Sequence, residues 1–147
     1  MDEFGDQARP LISGILETAL YVDDLETSRL FYQQLMGFPC FMLDKRMCAL
    51  GMPGRGVLLL FARHGSKEPS QTPAGLIPAH DGMGTLLLAF AIPADALEIW
   101  SAHLARHGID VESSIRWARG GTSLYFRDPD GHSLEVATPG LWPNDGS

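Results

Sequence analysis

SLYFRDPDGHSLEVA, residues 123–137, reads as two short strands joined by a turn. Pro129 fixes its own φ after Asp128. Asp130 brings an Asx-type bond, and Gly131 tolerates a positive φ. The flanks alternate: Leu124, Phe126, Leu134 and Val136 are apolar, whereas Ser123, Tyr125, Ser133 and Glu135 are polar or amphipathic. That is the period-two pattern of half-buried strands. One face of the hairpin is expected to lie under a helix. The other looks into a polar space and aims the carboxylate of Glu135 at it.

Working outward, the chain reads as one pattern written twice. In the first half a strand over residues 15–22 leads to Asp23 and Asp24, which cap a helix through LETSRLFYQQL that Gly37 ends. Leu25, Leu30 or Ser28, Phe31 and Leu35 form its apolar stripe. Strands follow near residues 40–43, 47–50 and 57–62. In the second half a strand over 85–92 leads through Pro93, Ala94 and Asp95 into a helix, ALEIWSAHLARH, closed by Gly108. Strands follow near 111–112, 123–127 and 133–137. The halves align at an offset of about seventy residues.

The expected fold is therefore α+β: two βαβββ modules in tandem, their mixed sheets curling around a cup with the helices outside. One unit of about 60 residues would be marginal alone, so the two should form one structural domain. The expected organisation is a tail over 1–12, a first module over 13–64, a linker loop over 65–84, a second module over 85–138 and a C-terminal tail over 139–147. The linker is rich in Pro and Gly, and a loop of that length is uncommon unless functional. In the C-terminal tail, Trp142 is expected to dock on a neighbouring surface or on another chain.

The composition, 45% hydrophobic and 20% charged over 147 residues, is that of a globular protein with a real core. A formal net charge of −7 argues against nucleic acid or an anionic membrane as the main partner. No run approaches the ~20 apolar residues of a membrane span. The opening MDEFGDQARP has no apolar signal core, so a cytoplasmic location is expected. The turn at Asp44, Lys45 and Arg46 places Cys40 opposite Leu50, not opposite Cys48. Both cysteines are expected to be free, buried thiols.

Strand periodicity puts Glu17, Ala19 and Tyr21 on the cup side of the first strand. It puts Leu87, Ala89 and Ala91 on the cup side of the matching strand in the second half. The closing hairpin adds Ser123, Tyr125, Ser133 and Glu135. Arg116, Trp117 and Arg119, in SIRWARGG, offer an aromatic and guanidinium groups to a planar or anionic ligand. Two carboxylates close together make a candidate acid/base pair, because like charges raise one of the two pKa values. His103 and His107 have the i, i+4 spacing of a zinc pair, but the apolar stripe Leu97, Trp100, Leu104 places them on the solvated flank. His132 belongs to the turn and reads as structural.

The opening LETALYVDDLETSRLFYQQLMGF, its counterpart LLLAFAIP and above all YFRDPDGHSLEV resemble the vicinal oxygen chelate superfamily, the family of glyoxalases, bleomycin-resistance proteins and extradiol dioxygenases. The resemblance runs from about residue 15 to 139. It implies paired βαβββ modules, a homodimer, a small-molecule ligand and a divalent metal held by three cup side chains. The first ligand position falls on Glu17, the second on Leu87 and the third on Glu135. Leu87 stands where an imidazole is usual, and leucine cannot coordinate a metal. His80, seven residues earlier in the linker, is the nearest substitute. An oxygen-only set suits Mg²⁺ or Mn²⁺ better than Zn²⁺ or Fe²⁺.

Glu17 and Glu135 are thus the expected catalytic and metal residues. Tyr125, Ser123, Tyr21, Leu87, Trp117 and Arg119 are the expected substrate contacts. The resemblance implies metal-assisted lyase, isomerase or transferase chemistry. The missing imidazole counts against a dioxygenase. A metal-free protein that sequesters a small molecule is the alternative, favoured by Leu87.

Overall fold

The computed structural model describes residues 9–146, so the first eight residues of the expected N-terminal tail, and Ser147, lie outside the described residues. The first module contains β1 (Glu17–Val22), α1 (Leu25–Met36), β2 (Cys40–Leu43), β3 (Met47–Gly51) and β4 (Val57–Ala62). The linker contains β5 (Ser70–Thr72) and β6 (Gly75–Ile77). The second module contains β7 (Leu87–Ala91), α2 (Leu97–Arg106), β8 (Ser113–Arg116), β9 (Thr122–Arg127) and β10 (Ser133–Ala137).

The repeat is literal in the topology. The first sheet is ordered β1-β4-β3-β2 and the second β7-β10-β9-β8. In each, the opening strand runs parallel to the last, and the remaining neighbours are antiparallel. This is the tandem βαβββ arrangement, in two open mixed sheets rather than a closed barrel. Among the described residues no helix is long and apolar enough to cross a membrane.

The punctuation in the sequence explains the element ends. Asp24 caps α1 by accepting a hydrogen bond from the Thr27 N–H at 3.1 Å, and Gly37 closes it in the left-handed conformation at φ 73°. Gly108 follows α2 at φ 68°. The α2 start departs from expectation. The helix begins at Leu97, with no side-chain cap on Ala96, so Pro93, Ala94 and Asp95 form a turn before it. The eighth strand also lies later than the expected 111–112. Its ladder is set by β9, where Ser113 pairs with Tyr125.

Both helix-side sheet faces share one core. Leu20, Val22, Leu50, Leu58 and Leu60 from the first module join Leu104, Leu124, Phe126, Leu134 and Val136 from the second, all at 5% exposure or less. Each such side chain contributes about 1.5–3 kcal/mol on leaving water.

The buried stripe of α1 is Ser28, Tyr32 and Leu35, whereas Leu30 is 39% exposed. Polar residues occupy this face because of what they meet. The Tyr32 hydroxyl donates to Asp128 Oδ2 at 2.7 Å, and Ser28 Oγ donates to Asp130 Oδ2 at 3.1 Å. The Asp23 N–H donates to Asp130 Oδ1 at 2.8 Å. His132 accepts from the Leu86 N–H through Nδ1 and donates through Nε2 to the Tyr21 carbonyl, at 2.9 and 2.8 Å. The DPDGH turn is therefore the joint between the modules: it bonds Tyr21 at the end of β1, Asp23, and Ser28 and Tyr32 of α1, and it pairs with Arg63 after β4.

Candidate functional site

The face of each sheet away from its helix carries the candidate site residues. On β9 and β10, Ser123 and Glu135 are 0% and 6% exposed. The Trp117 indole N–H donates to Ser123 Oγ at 2.8 Å, and the Ser123 hydroxyl donates to Glu135 Oε2. Tyr125 is the direct cross-strand partner of Glu135. Burial first, and then the neighbouring Glu135 carboxylate, hold the Tyr125 phenol above its usual range. Trp117, Ser123, Tyr125 and Glu135 thus form one hydrogen-bonding cluster, and it fixes the carboxylate rather than leaving it to rotate in solvent.

The C-terminal tail borders Glu135 of this cluster. Asp145 Oδ2 accepts from the N–H groups of Gly140, Leu141 and Trp142. The Gly121 N–H donates to the Gly140 carbonyl at 3.1 Å. The approach demands glycine: Gly140 has φ 116°, and a Cβ there would sit 2.3 Å from Gly121 N. Ala89, Glu135, Leu141 and Trp142 then line a cavity of about 210 Å³. Trp142 borders it while remaining 66% exposed.

A larger cavity of about 700 Å³ lies on the first sheet. Its walls are mostly apolar, from Ala19, Ala49, Leu59 and Phe61, with Phe41 and Met42 of β2 at one side. Glu17 and Arg46 supply charge. The linker covers part of it. His80 Nδ1 meets the Tyr21 hydroxyl at 2.8 Å, and the His80 ring lies edge-on to Phe61 with centroids 4.5 Å apart. Gly82 rests against the Tyr21 ring, where a Cβ would come within 2.4 Å of Cδ2. Burial, followed by the Asp81 carboxylate, raises the Tyr21 phenol above its ordinary value.

Glu17 and Glu135 therefore line different cavities of the one chain, each on its own module. Leu87 is 65% exposed at the start of β7. Arg119 lies exposed in the β8–β9 loop and lines neither cavity. Among the described residues, no three His, Cys, Asp or Glu side chains converge on one point. His103 is occupied elsewhere: its Nε2 donates to the Leu35 carbonyl at 2.7 Å and ties α2 to the end of α1. Glu17 and Glu135 offer carboxylate oxygens, the donors a hard divalent ion takes, and His80 offers an imidazole at the larger cavity.

Sequence reasoning did not find the walls of the larger cavity. VLLLFA in β4 is apolar throughout, so alternation is silent there. Leu58 and Leu60 enter the core, while Val57, Leu59 and Phe61 face the cavity. The register with β1, in which Leu59 pairs with Ala19, is what separates the two sets.

Solved structures share this architecture. Lactoylglutathione lyase from Agrobacterium tumefaciens is 34% identical and superposes with a TM-score of 0.81, covering 90% of this chain and 98% of that one. An integron cassette protein from the mobile metagenome of V. cholerae is 26% identical, with a TM-score of 0.69 over 90% of this chain and 99% of its own. The fosfomycin resistance protein FosX from Listeria monocytogenes shares the fold at 19% identity, with a TM-score of 0.65 over 89% of this chain and 97% of that one. A family model matches residues 14–136, and on that match the chain belongs to the Glyoxalase/Bleomycin resistance protein/Dioxygenase superfamily.

Proposed function

We propose that this protein is a homodimeric enzyme that performs metal-assisted lyase, isomerase or transferase chemistry on a small molecule. The observation that carries this reading is the crossed placement of the two cup carboxylates. Glu17 opens the first module and Glu135 stands in the last strand of the second, each on a face that its own chain leaves partly open. In the proposed dimer the first-module face of one copy meets the second-module face of the other, and one Glu17 joins one Glu135. Exposed apolar residues flank these faces. Leu16 and Leu87 are 62% and 65% exposed, which suits cover by a second copy.

Glu17 and Glu135 would hold a Mg²⁺ or Mn²⁺ ion, with water completing its shell. Such an ion supplies Lewis-acid stabilisation to negative charge developing on substrate oxygens. The chain's own residues set the rest. Ser123 and Trp117 orient the Glu135 carboxylate. Tyr125 presents a phenol kept protonated at neutral pH, which can donate a hydrogen bond to a substrate oxygen. The Tyr21–His80 pair can pass a proton between the cavity and the linker. The apolar wall around Phe61 and Leu59 excludes water from the bound ligand. The similarity to a lactoylglutathione lyase favours a lyase within this class.

A specific observation supports the second reading, metal-free binding of a small molecule. The cavity of about 700 Å³ is of ligand size and largely apolar. Calorimetric titration with Mn²⁺ and Mg²⁺ separates the two. Glu17→Gln and Glu135→Gln should each weaken Mn²⁺ binding at least ~10-fold, or ~1.4 kcal/mol. Mixing the two variants in equal amounts should restore about a quarter of the sites, because about half of the dimers are mixed and one of the two sites in each regains both carboxylates. Unchanged Mn²⁺ binding in both variants would leave the metal-free reading standing. No recovery on mixing, once subunit exchange is confirmed, would overturn the site shared between two copies.

A further inference from the structure

Cys40 and Cys48 share the β2–β3 hairpin, and their sulfurs lie 3.8 Å apart. The ladder explains how. Cys40 pairs with Leu50 and Leu43 pairs with Cys48, so a regular register would leave the two cysteines on a diagonal. Diagonal positions are about 7–8 Å apart, at or beyond the limit a disulfide tolerates. Here the register slips between Cys40 and Met42, and the thiols touch. The sequence-based expectation that both thiols are buried holds for Cys48, which is 0% exposed, and not for Cys40, which is exposed.

The two sulfurs differ as a reactive and a resolving thiol must. Cys40 is open to solvent, while its Sγ also lies 3.5 Å from the Met42 carbonyl. Cys48 is sealed in the helix-side core. Burial first, and then the contact with Cys40, push the Cys48 thiol up to about 12, so it stays protonated until a partner is presented. The Arg29 guanidinium on α1 opposes this rise at Cys48, and its ion-pair partner Glu26 adds to it. Neither sulfur belongs to the cup: both are on the helix side of the sheet, behind Phe41 and Met42 of the cavity wall.

We infer that Cys40 and Cys48 form a peroxide-responsive dithiol, which closes to a disulfide within the hairpin and opens again on reduction. The Cys40 thiolate attacks one oxygen of a hydroperoxide. The S–O bond forms, the O–O bond breaks, and the departing oxygen takes a proton to leave as water or an alcohol. Cys48 sulfur then attacks the sulfenic sulfur of Cys40. The S–S bond forms, the S–O bond breaks, and the Cys48 proton leaves with the hydroxyl as a second water. Two thiols are oxidised and one peroxide is reduced. The sulfurs must close from 3.8 Å to the ~2.05 Å of a disulfide, a shift within one hairpin. Oxidation would staple β2 to β3 beneath Phe41 and Met42, and so fix one wall of the larger cavity.

The test uses the full reduced chain, which carries two cysteines, treated with stoichiometric hydrogen peroxide. Intact mass is read without reductant after alkylation of the remaining thiols. The expected product is a single chain lighter by two hydrogens, with no alkylatable thiol, returned to two thiols by dithiothreitol. Cys48→Ser should instead stop at a Cys40 sulfenic acid that dimedone traps, and Cys40→Ser should leave Cys48 unreacted. The inference is overturned if the natural chain accumulates sulfinic acid on Cys40, forms only interchain disulfides, or keeps both thiols while a free thiol control is consumed.

Discussion

Glu135 and Leu59 hold the same place in the two repeats. Glu135 pairs with Ala89 on β7 as Leu59 pairs with Ala19 on β1. Glu17 and Leu87 are equivalent in the same way, each opening its strand and pairing with the first residue of the last strand. Each module therefore contributes one carboxylate and one leucine, at crossed positions. Duplication alone would give matching residues, so the two halves have diverged where their chemistry would lie.

Leu87→His is the substitution that most directly probes this crossing. It places an imidazole on the strand beside Glu135, and Leu87 is exposed enough to be replaced without opening the core. Affinity for Ni²⁺ or Zn²⁺ should rise ~10-fold or more over the natural protein, because imidazole suits those ions better than carboxylate does. Adding Glu135→Gln should remove the gain. Titration calorimetry reads both steps, and no gain with Leu87→His would mean that residues 87 and 135 do not share a site.

Removing the Ser123 hydroxyl should cost stability. Glu135 is 6% exposed, and Ser123 is its donor. Ser123→Ala leaves a buried carboxylate short of a hydrogen bond, and it also strands the Trp117 indole N–H. The expected loss is about 1–3 kcal/mol in urea unfolding. Trp117→Phe should cost less, about 1 kcal/mol, because the Ser123–Glu135 bond survives it. Equal costs would mean that Glu135 does not depend on Ser123.

The linker should lift when Gly82 gains a side chain. A Cβ at this position would overlap the Tyr21 ring at 2.4 Å, so Gly82→Ala must displace either the ring or the loop. The loop should yield, because β1 is held by its ladder to β4. Limited proteolysis within residues 65–84 should speed up several-fold while global unfolding changes little. Unchanged cleavage would show that the Tyr21–His80 contact does not hold the linker down.

Much of this architecture was legible in the chain. Asp24, Gly37, Gly108 and Gly131 act through local geometry, which a sequence reveals directly, and they fix the ends of the main elements. The tandem βαβββ order with mixed sheets was readable from the element sequence, whereas the parallel pairing of first and last strands is a finding of the structure. The interior stripe of α1 was legible in part: Leu35 and the alternative Ser28 are buried and Leu25 and Phe31 pack on the core, whereas Tyr32 escaped because its partner Asp128 lies about a hundred residues away in the chain. The β5–β6 hairpin escaped notice because three-residue strands show no periodicity. Instead, the Thr72 hydroxyl shapes its turn by accepting the N–H groups of Ala74 and Gly75. Ser123, Tyr125 and Glu135 were readable as one face. The separation of Glu17 from Glu135 was not, since alternation gives a side chain's face and not the cavity that face borders.

The joint between the modules should show itself at alkaline pH through Tyr32. Its hydroxyl is buried and donates to Asp128 at 2.7 Å. Burial first, and then the Asp128 charge, hold this phenol well above its ordinary range. In the unfolded chain it titrates near ~10. Below that pH both states keep the proton and the contribution of Tyr32 is complete. Above it the unfolded state binds fewer protons than the folded one, so stability falls as pH rises. Tyr32→Phe should lower stability by about 1–3 kcal/mol at neutral pH, because Asp128 stays buried with one donor fewer. It should also make the alkaline decline shallower, leaving the smaller slope from Tyr21 and Tyr125, whose phenols are raised as well. Urea midpoints measured from neutral pH to about pH 11 give both quantities. Parallel declines in the two proteins would show that Tyr32 ionises as freely in the folded chain as in the unfolded one, and the joint would then owe nothing to its proton.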